Sequence, residues 1–242
     1  MKVQNNLLNY FDMKIVQDNE MFKFSLDSVL LPNFVILNKK IEKILDIGCG
    51  NAPIPLILST MTKAKIVGVE IQREVFELAL ESVKINNLES QIEIINGDIN
   101  RLADEWNTEI YDLITCNPPF FKVRRNSNLN NCQYQTRARH EIDLTLEQLI
   151  KVSSKLLKNK GSLAIVHRPD RLVEMFSLLK KYNLEPKRIQ FVYPKINKEA
   201  NIILLEATKN GNMGLKIEKP IFVHEKDGSY TKEVLHYFEK RN

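Results

Sequence analysis

The sequence predicts an α/β domain on a mostly parallel seven-stranded sheet with an antiparallel edge, and three observations carry that reading. From Ile41 onward, apolar β-rich runs alternate with segments of helical period, the pattern of a parallel sheet covered by helices on both faces. The last two apolar runs are separated by only a short polar stretch, as an antiparallel pair is. A chain of 242 residues fits one such domain with modest extensions better than two full domains.

Ahead of the sheet, Leu26 to Leu37 predicts a helix with Ser25 as its N-cap. Strands are predicted at Lys43 to Ile47, Lys65 to Val69, Ile92 to Ile95, Asp112 to Cys116 and Ser162 to Val166. Glu74 to Ile85 and Leu146 to Leu157 place apolar residues three and four apart, as helices packed on a sheet do. Ile189 to Tyr193 and Asn201 to Leu205 form the expected antiparallel edge. A strand at Pro220 to Val223 and a helix at Lys232 to Glu239 make a small tail. The chain therefore divides into a helical N-terminal segment (1–40), a main domain (41–210) and a C-terminal tail packed on the same domain (211–242). One connection breaks the rhythm: Phe121 to Asp143 lacks periodicity, and long structureless loops in compact domains tend to be functional. It follows the fourth strand directly, so it should overhang the site where parallel sheets gather their ligands.

Composition narrows the field. A hydrophobic share of 43% and a charged share of 27% argue against disorder or a fibrous architecture. No apolar run approaches a membrane span and the first residues hold no continuous apolar signal core, so no membrane association and a cytoplasmic location are expected. Cys49, Cys116 and Cys132 lack any CxxC spacing, which points to reduced thiols, and the four scattered histidines predict no metal. The net charge of +5 is too mild to identify a nucleic-acid binder by itself.

The chemistry begins at the end of the first strand, in Asp46-Ile47-Gly48-Cys49-Gly50-Asn51-Ala52-Pro53. Gly48 and Gly50 let the backbone approach a bound nucleoside, and the next helix is expected to offer free N–H groups. Glu70, closing the second strand, stands where a carboxylate can accept both ribose hydroxyls of a nucleoside cofactor. Asp46 would repel a pyrophosphate, whereas S-adenosylmethionine brings an ammonium and a sulfonium; Ala52 in place of a third glycine also fits a dinucleotide poorly. Asp98, in Gly97-Asp98 after the third strand, suits either an adenine amino group or the N-cap of the next helix.

Asn117-Pro118-Pro119-Phe120 follows the fourth strand, and here the sequence resembles the amino methyltransferases with the motif [DNS]-P-P-[YFW]. An exocyclic amine on an aromatic ring is a poor nucleophile because its lone pair is delocalised. The Asn117 oxygen and the Pro118 carbonyl can accept its two N–H bonds and favour a pyramidal nitrogen, while the prolines stiffen the backbone that presents them. Phe120 offers a stacking face for a base. Cys116 is expected to be a buried structural thiol rather than a nucleophile. Lys122, Arg124, Arg125, Arg137, Arg139 and His140, interleaved with Phe121 and Tyr134, make the overhanging loop a candidate RNA surface.

Over nearly its whole length the chain resembles the bacterial tRNA(Val) adenine-37 N6-methyltransferase family. The resemblance rests on the stretch Phe24 to Leu31, the Asp46 to Gly50 turn, the Asn117 to Phe120 box, Ala138-Arg139-His140-Glu141 and the tail Val223 to Thr231. It implies a Rossmann-like class I methyltransferase fold, S-adenosyl-L-methionine as cofactor, a tRNA substrate and no obligate protein partner. It also implies that Asp27 and Ser28 lie near the methionine end of the cofactor. RNA guanine-N2 methyltransferases use the same Asn-Pro-Pro-Phe box, protein glutamine N5-methyltransferases use a close variant, and a non-catalytic RNA-binding protein is a further class. The box alone does not separate adenine from guanine.

Overall fold

The computed structural model describes residues 2–7, 13–18, 25–118 and 144–238. The first half of the chain forms β1 (Lys2–Asn6), β2 (Lys14–Asp18), α1 (Asp27–Phe34), β3 (Lys43–Ile47), α2 (Pro53–Ser59), β4 (Lys65–Glu70), α3 (Arg73–Ile85), β5 (Ile92–Asn96), α4 (Ile99–Glu105) and β6 (Tyr111–Cys116). The second half forms α5 (Leu146–Leu156), β7 (Leu157–His167), α6 (Leu172–Lys181), β8 (Leu184–Tyr193), β9 (Ile202–Lys209), β10 (Lys216–Ile217), β11 (Ile221–Phe222) and α7 (Lys232–Tyr237).

Seven strands build the body of the sheet in the order β8-β9-β7-β6-β3-β4-β5, and the two-residue strands β10 and β11 both pair with β8. β3 to β7 run parallel, and β9 lies antiparallel between β7 and β8, as the sequence pattern predicts. The connection from β8 to β9 is too short for a crossover, which leaves antiparallel pairing as the available choice. Both faces of the central strands are covered, so their residues are mostly apolar, with Asp46 and Thr115 as buried exceptions. Ile44, Leu113, Ala164 and Leu204 face the core under α1, α2 and α3, whereas Leu45, Ile114, Leu163 and Leu205 face the core under α4, α5 and α6. Successive residues point to opposite faces, so each strand serves two cores at once.

Four details depart from the expectations. α1 starts at Asp27 with Leu26 at its N-cap and no side-chain cap; the Ser25 hydroxyl donates instead to Asp27 Oδ2 at 3.1 Å. It ends at Phe34 rather than Leu37, because Val35 turns extended (φ −66°, ψ 145°). Leu157 opens β7 instead of closing α5, and β7 and β8 start several residues before their apolar runs, where polar side chains carry no burial signal. Within the N-terminal segment read as helical, β1 and β2 form an antiparallel hairpin. The hairpin is fastened to α3 by the Val16 N–H donating to Ser82 Oγ at 2.9 Å and by Asn86, which bonds both the N–H and the carbonyl of Lys14. At the other end of the chain, β11 extends the sheet edge and Val234 of α7 is fully buried, so the tail packs on the same core. Among the described residues, no helix is long and apolar enough to cross a membrane.

Gly68 in β4 carries the turn that follows β3. A Cβ there would come within 2.9 Å of both Cys49 Sγ and Ile94 Cδ1. Gly68→Ala should therefore cost about 1–3 kcal/mol by overpacking. Urea unfolding checks this, and an unchanged midpoint would mean that the turn yields freely.

Candidate active site

β3 and β6 are neighbours in the sheet although β4 and β5 come between them in sequence. The chain leaves β3 in one direction and returns on its other side, which opens a crevice beyond the strand ends. Gly48 to Pro53 follow β3, Glu70 ends β4, Asn96 to Asp98 follow β5 and Asn117-Pro118 follow β6, so these candidates share one edge of the sheet.

Asp46 is fully buried beside that crevice. Its Oδ1 accepts a hydrogen bond from Thr115 Oγ1 at 2.7 Å across the β3–β6 pair, and Oδ2 is buried without a hydrogen-bond partner. Burial, opposed by Thr115 and reinforced by the Glu70 charge, pushes its pKa up to about 7. Glu70 is also buried: Oε2 accepts the Gly50 N–H at 3.0 Å and Oε1 the Gln72 N–H at 2.9 Å. The Glu70 carbonyl accepts from the Gly97 N–H at 3.1 Å and from Asn96 Nδ2 at 2.8 Å, which ties the ends of β4 and β5 together. Sequence reasoning named Asp46 and Glu70 but missed Thr115. Its signal was a lone hydroxyl in the apolar run of β6, and only the strand register sets it opposite Asp46.

The turn after β3 is left-handed at Gly48 (φ +69°), Gly50 (φ +57°) and Ala52 (φ +71°). A Cβ on Gly48 or Gly50 would meet nothing within 4 Å, so open space lies over the turn. The helix that follows does not offer the expected array of N–H donors, because Pro53 and Pro55 in its first turn have none. A pyrophosphate would find few donors there and the Asp46 carboxyl nearby. Cys49 and Cys116 are buried with thiol pKa values pushed well up by burial, the state of structural thiols.

Asn117 is half-buried, and its Nδ2 donates to Ser28 Oγ at 3.2 Å, which brings the first turn of α1 to the end of β6. Asp27 beside it is buried, with its pKa raised by desolvation. Asp98 caps α4: its Oδ1 accepts from the Asn100 N–H at 2.9 Å and from Asn100 Nδ2 at 3.0 Å. His167 ends β7 next to this edge, and burial with Arg171 nearby pushes its pKa down to about 4, so the ring is neutral at pH 7. Among the described residues no group of three or more His, Cys, Asp or Glu side chains can hold a metal ion. Phe120, Lys122, Arg124, Arg125, Tyr134, Arg137, Arg139 and His140 lie outside the described residues, as does Cys132.

The open turn after β3 lies beside Asn117-Pro118 at the end of β6, and the Methyltransferase small domain family matches residues 25–185. The chain belongs to that family. It is 28% identical to a tRNA1(Val) (adenine(37)-N6)-methyltransferase of Flavobacterium psychrophilum, over 95% of this chain and 96% of that one. A Porphyromonas gingivalis protein of the same name is 36% identical over 67% of this chain and 64% of its own length. Among solved structures, a predicted O-methyltransferase from Agrobacterium tumefaciens superimposes with a TM-score of 0.68 at 19% identity, covering 89% of this chain and 98% of that one. Geranyl diphosphate C-methyltransferase from Streptomyces coelicolor, solved with S-adenosyl-L-homocysteine, gives a TM-score of 0.57 at 9% identity, with 75% and 76% covered. The class I methyltransferase fold expected from the sequence is thus the one observed.

This methyltransferase takes its methyl group from S-adenosylmethionine, and the residues present suit a cationic nucleoside. The Asp46 oxygen lacking a hydrogen-bond partner, the open space over Gly48 and Gly50, and the scarcity of N–H donors at the start of α2 all agree with that charge.

Burying Asp46 has a price in stability that depends on pH. Its folded pKa of about 7 lies above the ordinary 3.8, so its stabilising contribution is complete below about pH 4 and is lost as pH rises through 7. Asp46→Asn has no charge to bury. Urea unfolding from pH 4 to 8 should give a flatter stability curve for the variant than for the parent, the difference changing by up to about 1.4 kcal/mol per pH unit. Parallel curves would show that Asp46 is not held protonated.

Proposed function

We propose that this enzyme moves the methyl group of S-adenosylmethionine to the exocyclic N6 of an adenine in tRNA, with position 37 of the anticodon loop of tRNA(Val) as the target. The observation that carries the reading is Asn117 just after β6, next to the strand that carries Asp46 and leads into the glycine turn. A relative bearing the corresponding activity in its name aligns along 95% of the chain, which supports tRNA as the substrate and the cytoplasm as the place of action.

The cofactor side follows from charge and open space. Glu70 accepts backbone N–H groups through both oxygens, and its place at the end of β4 sets a carboxylate where the ribose hydroxyls of the cofactor would lie. Asp46 supplies negative charge for the cationic end of the cofactor, and Asp27 and Ser28 border that end in this reading. Gly48 and Gly50 leave room for the nucleoside, and Asp98, while capping α4, borders the adenine. On the substrate side, the Asn117 oxygen and the Pro118 carbonyl accept from the target amine and favour a lone pair that points out of the base plane. Phe120 stacks on the base, while Lys122, Arg124, Arg125, Tyr134, Arg137, Arg139 and His140 grip the RNA around it. An unpaired loop base reaches such a site without the opening of a helix.

Four outcomes test the reading. Glu70→Ala should weaken S-adenosylmethionine binding by about 1–3 kcal/mol in calorimetry, since a charge-assisted acceptor is lost. In the parent, affinity should fall about tenfold per pH unit below pH 7, because Asp46 must release its proton to meet the cofactor's positive charge. Asn117→Ala should slow turnover about 10²–10³-fold with cofactor affinity nearly intact. Mass spectrometry of nucleosides from treated tRNA decides the base: N6-methyladenosine is expected, and N2-methylguanosine would defeat the adenine assignment.

A further inference from the structure

Asn117 is useful as an acceptor only if its carboxamide oxygen, not its nitrogen, is turned toward the target amine. The two ends of a carboxamide are nearly alike in shape, so packing alone does not choose between them. With the amide reversed, its NH₂ would face the NH₂ of the base, donor against donor, and the preorganised acceptor would be gone. The target amine, a donor, selects the oxygen, provided that the carboxamide is already held where the two can meet.

We infer that Ser28 is a positioning residue for methyl transfer, which acts by anchoring the Asn117 carboxamide at the end of β6; this rests on the proposed acceptor role of Asn117. Asn117 Nδ2 donates to Ser28 Oγ at 3.2 Å, so one end of the carboxamide is held in place and the other is left for the substrate. Ser28 is only 5% exposed, which shields its hydroxyl from water, while Asn117 is half-buried. The hydroxyl is carried by a rigid element. The Ser28 N–H bonds to the Ser25 carbonyl at 3.1 Å, and Val29, Leu30 and Leu31 directly after it are buried at 0–1% exposure. Family resemblance puts Ser28 near the methionine end of the cofactor, whereas the hydrogen bond assigns its hydroxyl to the residue that meets the substrate.

A double-mutant cycle separates these roles. Ser28→Ala, Asn117→Ala and the double variant are compared with the parent for kcat, for KM of tRNA and for calorimetric affinity toward S-adenosylmethionine. We expect Ser28→Ala to lower kcat on the order of tenfold, the scale of one lost orienting hydrogen bond, a loss that exceeds any change in cofactor affinity. Adding it to Asn117→Ala should cost nothing further, because the group it orients is already absent. Ser28→Thr retains the hydroxyl and should restore most of the rate. The inference is overturned if Ser28→Ala weakens cofactor binding with kcat intact, if the two losses multiply, or if Ser28→Ala behaves as the parent. The cycle is read on whichever exocyclic amine the parent methylates, so a guanine product would sink the adenine reading while leaving the role of Ser28 to be decided by the coupling.

Discussion

A carboxyl group buried between β3 and β6, hydrogen bonded through one oxygen only, constrains everything around it. The Thr115 hydroxyl ties Asp46 to the neighbouring strand at 2.7 Å, and the other oxygen is left facing a protein interior in which charge is costly. Such a group is tolerated where function needs it. The remedy for its isolation is a cation, and the turn that follows leaves the space in which one can be received. Site and sheet are therefore one construction, since the register that pairs Asp46 with Thr115 also brings the glycine turn beside Asn117.

The rim of the crevice follows from backbone chemistry. Glu70 uses both carboxylate oxygens on backbone N–H groups, so the residue expected to meet the ribose also fixes the turn from which the ribose would be approached. Gly48 and Gly50 take left-handed conformations at no steric cost, while Ala52 takes one in spite of its Cβ. Pro53 and Pro55 shape the start of α2 and remove the N–H groups that would otherwise make it a phosphate cradle. The preference for a positive partner is built in twice, once by a buried carboxyl and once by missing donors.

α1 reaches the site from outside the sheet. Its buried face anchors it to the same core as α2, and its first turn delivers Ser28 to Asn117 across 89 positions of sequence. The N-terminal hairpin closes the same region from another side, where Asn51 of the glycine turn donates through Nδ2 to the Val16 carbonyl at 2.8 Å. Segments that lie before the sheet in sequence thus brace the two turns that matter most.

The sequence by itself determined the chain order of the seven main strands, the parallel centre with its antiparallel edge, and the positions of Asp46, Glu70 and Asn117, while α6 did not stand out. These were legible because doubly buried strands are mostly apolar, so a carboxyl at Asp46, the Gly-x-Gly turn after it and the Asn-Pro-Pro box stand out against them. What lay beyond it was set by contacts between distant segments. β1 and β2 have too few apolar residues to announce a hairpin, and they are held by hydrogen bonds to Ser82 and Asn86. Asp98 fitted two roles on paper, and the neighbouring Asn100 engaged its Oδ1 as a helix cap. Thr115 stands out only as a lone hydroxyl in an apolar run, and Ser28 only through the family resemblance. Only tertiary structure decided their partners, because a hydrogen bond of about 3 Å depends on strand register and helix placement, which local periodicity does not encode.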